Sequence, residues 1–154
     1  MPMLEAEPLT VLYEADETAW LDAMAELVAQ GRFAELDRIH LAEYLSDMAK
    51  RDRREVNSRL AQLLAHLLKW FFQPEKRSRS WERSIELQRQ KLRDIFDSGT
   101  LRNHAVEHLA ESYTRAVHLA IIETGLPPTF FPMACPYSLI EIETLPVSLA
   151  AEGG

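Results

Sequence analysis

The chain holds five histidines, and two of them stand at a spacing that metal chemistry uses. His104-Ala105-Val106-Glu107-His108 is an H-x-x-E-H string. Residues four apart share one face of a helix, so His104 and His108 are the metal-ligand candidates, with Glu107 placed as a general base. Glu111, Arg115 and His118 extend that polar face. A zinc hydrolase also needs a third fixed ligand and a substrate cleft. A solvated face opposite Leu109, Tyr113, Ala116 and Ala120 explains the string without metal, and no metal is expected. A di-iron bundle needs Glu-x-x-His pairs on two helices, and none of the histidines has a glutamate three residues before it. Cys135 stands alone, with no CxxC partner, and reads as a small buried hydrophobe. No G-x-S-x-G, P-loop or G-x-G-x-x-G motif supports acyl transfer or nucleotide chemistry, and no cofactor is expected.

A second constellation is the HLLKW segment. His66, Lys69, Trp70 and Gln73 fall at 0, +3, +4 and +7 on one helical face, beside the apolar stripe Leu60, Leu64, Leu67 and Phe71. Polar groups beside a buried stripe are costly unless paired. Two readings stay open. They line a ligand or anion pocket together with Arg77, Arg79 and Trp81, or they form an interhelical network held by Glu43, Glu55 or Glu123.

The elements that carry these residues read as helices. No proline lies between Thr10 and Gln73, and no strand alternation or hairpin signal appears. The expected fold is an all-α single-domain bundle of about four main helices plus a short C-terminal helix, without a sheet. The first helix is expected at about 14–30, closed by Gly31. A long stretch follows over 38–73, with a kink near 49–53 or none, then a helix at about 79–97 capped by Ser78 or Ser80. The last long helix is expected at 101–124, closed by Gly125. A proline-rich aromatic strap, TFFPMACPY, leads to a capping box from Ser138 to Glu141. Residues 1–12 read as a flexible segment, 13–145 as the domain, and 146–154 as a flexible tail.

Hydrophobic residues make up 47% of the 154, which excludes a disordered tail or a low-complexity segment. The net charge of −7 argues against a nucleic-acid coat. It is unevenly spread: residues 50–93 hold 13 of the 17 Lys and Arg against five acids. That basic stretch, interleaved with Trp70, Phe71, Phe72 and Trp81, suits either phosphate binding or ion pairing with acidic helices. The most apolar run, 60–72, is broken by Gln62, His66 and Lys69 and is too short to span a membrane. With a lone cysteine and no leader-like start, the chain reads as cytoplasmic.

Several segments together resemble one family. They are Tyr13, Asp16 and Trp20 (Y-x-x-D-x-x-x-W), HLLKW at 66–70, QPEKRSRSW at 73–81, Gln88-Arg89, ETGLP at 123–127 and FPMACPY at 131–137. Covering about 13–143, they resemble domain-of-unknown-function family twenty-nine, small bacterial helical proteins. The resemblance implies an all-α fold and supplies no catalytic residues. It also implies that the H-x-x-E-H string lies outside the family pattern, and that Ala49 stands where relatives carry glycine. A continuous 38–73 helix fits that substitution.

The expected function is therefore a non-catalytic protein-interaction module, binding a protein partner or forming a homo-oligomer. The alternatives are a nucleic-acid or phosphate-binding protein using the basic 69–83 segment, and an enzyme of unrecognised type at His66.

Overall fold

Residues 8–149 are described in a computed structural model, and the ends of the chain, 1–7 and 150–154, lie outside it. The outermost parts of the expected flexible segments fall there. Among the described residues are seven α-helices and no strand: α1 (Leu9–Ala15), α2 (Glu17–Ala29), α3 (Arg38–Phe72), α4 (Arg79–Ile95), α5 (Gly99–Glu107), α6 (Leu109–Thr124) and α7 (Leu139–Thr144). The all-α expectation holds. The chain divides into two compact units, Met1–Lys50 and Arg51–Gly154, and α3 contributes to both.

In the first unit the expected 14–30 helix is two helices. Asp16 is the break between them, with φ −154° and ψ 88°. Its carboxylate accepts from the Ala19 amide at 3.1 Å, because a side-chain oxygen there satisfies an amide that the helix start leaves bare. Gly31, with φ +71°, closes α2 as expected, in the left-handed region that a side chain would strain. The unit buries little: Trp20 and Met24 are its buried apolar side chains, and Tyr13 meets the Trp20 ring edge-on at 4.8 Å.

The second unit is built on the C-terminal half of α3. Val56, Leu60, Ala61, Leu63, Leu64, Ala65, Leu67, Leu68 and Trp70 are all buried. A helix apolar on nearly every face must be covered on nearly every face. Ile85 and Leu92 of α4, Tyr113, Ala116 and Ala120 of α6, Phe131 of the strap and Leu139 and Ile142 of α7 join it in one core. No break interrupts α3 near 49–53; Arg38–Phe72 is one helix.

The expected 101–124 helix is also two. The chain leaves helical geometry at His108 (φ −108°, ψ 17°), and Val106, just before the break, is 55% exposed. After α4 ends at Ile95, Ser98 caps α5, accepting from the Leu101 amide at 3.3 Å. Ser78 caps α4, and the Ser138–Glu141 capping box opens α7 with both reciprocal bonds present. Gly125, with φ +71°, closes α6.

Candidate functional site

Lys69 and Trp70 lie on the turn of α3 that the core encloses most completely, and both are buried. An ammonium so placed needs a partner. Lys69 Nζ donates to Glu123 on α6, and it also sits 5.4 Å from the centroid of the Trp81 ring, where the aromatic face attracts a cation. Of the three glutamates considered as partners, Glu123 is the one used. Arg77, after the Pro74–Lys76 turn, folds back over the end of α3. Its Nε donates to the Trp70 carbonyl at 2.8 Å, and its guanidinium lies 4.9 Å from the Trp70 ring centroid. That carbonyl is one of the four that a helix end leaves without an internal partner, so Arg77 works as a C-terminal cap.

The structure thus sets two pairings on successive residues of α3: Lys69 with Trp81 and Glu123, and Trp70 with Arg77. Gln73 is buried beside them, and its Oε1 has no hydrogen-bond partner among the described residues. His66 is half-buried one turn earlier; its Nδ1 donates to the Gln62 carbonyl at 2.9 Å, which leaves Nε2 as the outer nitrogen. Arg79 is exposed at the start of α4. Of the five basic side chains that a phosphate-binding reading requires, Lys69 and Arg77 are engaged within the fold. Lys76, Arg79 and Arg83 are exposed.

His104 and His108 stack, with ring centroids 4.0 Å apart. His108 Nδ1 donates to the His104 carbonyl at 3.0 Å, and His104 Nε2 faces Asn57 Nδ2 at 3.1 Å. One nitrogen of each ring is therefore already committed to a protein group. Among the described residues no cluster of three or more His, Cys, Asp or Glu gathers that could hold a metal ion.

Burial pushes the His66 imidazole below its ordinary value, and the Lys69 ammonium adds to the effect. Burial does the same to His104, with the His108 ring next in size. The unfolded chain takes up protons at these sites near pH 6.5, where the folded chain does not. The unfolded state then binds more protons, so stability falls as pH drops below about 6.5. Thermal melts between pH 7.5 and 5 are expected to show this decline. His66→Asn is expected to flatten it, and identical slopes for the variant and the parent would exclude His66 as a source.

One constellation in the first unit was not anticipated. Asp37, buried just before α3, accepts from the Trp20 indole Nε1 at 3.1 Å and from His40 Nδ1 at 2.8 Å. Burial raises the Asp37 carboxyl, but the bonds from His40 and Trp20 outweigh that and hold it below the usual range. The His40 ring lies flat on Tyr13 at 4.3 Å. An Asp–His pair is the core of many general-base sites. Here it joins α2 to the start of α3 and fixes a buried polar cluster in a unit with a very small core. The signal in sequence was Tyr13, Asp16 and Trp20; the partner, 17 residues beyond Trp20, belongs to another element.

No helix among the described residues is long and apolar enough to cross a membrane. No curated protein and no solved structure matches the chain. The profile of "Domain of unknown function DUF29" matches residues 12–145, nearly the whole chain and the span of the resembling segments, and the chain belongs to that family.

Proposed function

We propose that this chain is a cytoplasmic, non-catalytic interaction module whose first unit receives an amphipathic helix from a protein partner. The observation that supports it most is a groove between α2 and the first turns of α3. Leu21, Met24, Ala25, Val28, Ala29, Leu41, Tyr44 and Leu45 line it, and none of them is charged. Its volume is about 480 Å³, and Val28 and Leu45 are 49% and 60% exposed. Apolar side chains left open along two helices are the receiving half of helix-in-groove recognition, which reads anchors at i, i+3 or i+4 and i+7. The charge of the unit chooses the flanks of that helix. Residues 8–50 carry nine acidic side chains against three basic ones, so a partner rich in lysine or arginine is favoured electrostatically.

The test uses the full chain and a designed helical peptide, with leucines at the anchor spacing on a lysine-rich background. Micromolar binding is expected, weakening at least about tenfold for a scrambled peptide of equal charge and for Leu45→Asp. Equal binding of the scrambled peptide would reduce the effect to bulk charge and overturn the reading. A dimer in light scattering that Leu45→Asp dissolves would give the groove to a second copy instead.

A further inference from the structure

In the second unit, away from the Lys69 cluster, a small polar pocket lies between α3 and α6. Asn57, Glu111, Ser112 and Arg115 line it, and its volume is about 170 Å³. Two of its polar atoms are buried without a hydrogen-bond partner among the described residues: Asn57 Oδ1 and Ser112 Oγ. Ser112 as a whole is 3% exposed. Buried polar atoms are almost always satisfied, by protein or by something held between protein groups. The other half of the Asn57 amide is committed, with Nδ2 against His104 Nε2, so Oδ1 is the atom left for a guest.

The charges at the rim are also arranged for one. Glu111 and Arg115 are four residues apart on α6, the spacing at which acid and base normally pair on a helix. They do not pair here. Arg115 Nη1 instead donates to Ser58 Oγ on α3 at 3.0 Å. A cation, an anion, a hydroxyl and a bare carbonyl oxygen therefore border one cavity. A simple anion would meet the Glu111 carboxylate, and a simple cation would meet the Arg115 guanidinium. A molecule that carries both charges meets neither penalty.

The geometry points to a binding site for a small zwitterion, a free α-amino acid with a short side chain. Its carboxylate lies on the Arg115 guanidinium, the group suited to two-pronged carboxylate binding, and accepts from the Ser112 hydroxyl. Its ammonium donates to Asn57 Oδ1 and to Glu111. Size permits it: at roughly 30 Å³ per water, the cavity of about 170 Å³ has room for about five to six waters, more than the roughly three to four that alanine or serine occupies.

The experiment titrates the isotope-labelled full chain with L-alanine and L-serine and follows backbone amide signals around Asn57 and residues 111–116. Saturable shifts with millimolar affinity are expected. Acetate and methylammonium, which each carry one half of the ligand, are expected to bind at least about tenfold more weakly. Arg115→Gln, at an exposed position that leaves the core untouched, and Ser112→Ala are each expected to weaken binding by a similar factor. Glu111→Gln is expected to weaken L-alanine while improving acetate. The inference is overturned by acetate binding as tightly as L-alanine (an anion site), by methylammonium doing so (a cation site), or by shifts that never saturate (a pocket of water). It is independent of the groove on the first unit.

Discussion

Trp70→Ala is expected to lower the unfolding free energy of the second unit by about 4 kcal/mol, a large share of the roughly 5–15 kcal/mol by which a domain is stable. Trp70 is 2% exposed and is the largest side chain in the core around α3. Its removal loses the transfer energy of an indole and leaves a cavity that rigid neighbours on α3 cannot fill. It also strips Arg77 of the ring its guanidinium covers, so the cap at the end of α3 loosens with the core. Trp70→Phe keeps a ring for Arg77 and most of the volume, and should cost roughly half as much. Urea titrations followed by circular dichroism separate the two. An alanine variant within about 1 kcal/mol of the parent would mean that the core collapses into the gap.

Arg89→Ala ranks next, at about 2–4 kcal/mol, for a different reason. Arg89 projects from α4 yet is 4% exposed. Its Nε donates to the Ile142 carbonyl at 2.9 Å and its Nη2 to the Leu145 carbonyl at 2.7 Å. Both carbonyls belong to the last turn of α7 or the residue after it, where a helix end lacks internal partners. One planar fork therefore ties a six-residue helix, too short to hold itself, to α4. Deleting it leaves two carbonyls short of donors and frees α7. Arg89→Met keeps the aliphatic stem and isolates the hydrogen-bond loss; Arg89→Lys reaches one carbonyl at best. Hydrogen exchange at the amides of α7 should accelerate far more than exchange in the middle of α3. Uniform acceleration would show that Arg89 serves the whole core and not α7 in particular.

The parts of the fold legible in sequence are those governed by local rules. Proline and glycine positions bounded α3 and closed α2 and α6, and Ser138 with Glu141 announced α7, because caps and chain stiffness act within a few residues. Two helix breaks escaped. Asp16, like Glu17, suits the positive end of a helix dipole, which does not mark it as the break, and His108 interrupts a helix with neither glycine nor proline to mark it. The candidate site divides the same way. The face of His66, Lys69, Trp70 and Gln73 followed from helical spacing, but Glu123 lies 54 residues beyond Lys69, and sequence left three glutamates open as its partner. Asp37 and Trp20, or Asn57 and His104, pair across elements, so only packing brings them together. Leu45 stands one helical turn from Leu41 and is nonetheless exposed, because the apolar side chains on the first turns of α3 are only partly covered within their own unit.

The strap between α6 and α7 also protects the one thiol of the chain. Cys135 is half-buried there, its Sγ donates to the Tyr137 carbonyl at 3.3 Å, and burial pushes its pKa up. Oxidants and alkylating reagents attack the thiolate, which this setting keeps scarce. Sulfenic acid formation and adventitious disulfide dimers are therefore expected to be slower than at a fully exposed thiol while the strap is seated. Each excursion that lifts the strap exposes the sulfur, so the alkylation rate of Cys135 becomes a clock for the opening of that segment. The chain carries its own reporter of how often FPMACPY lets go.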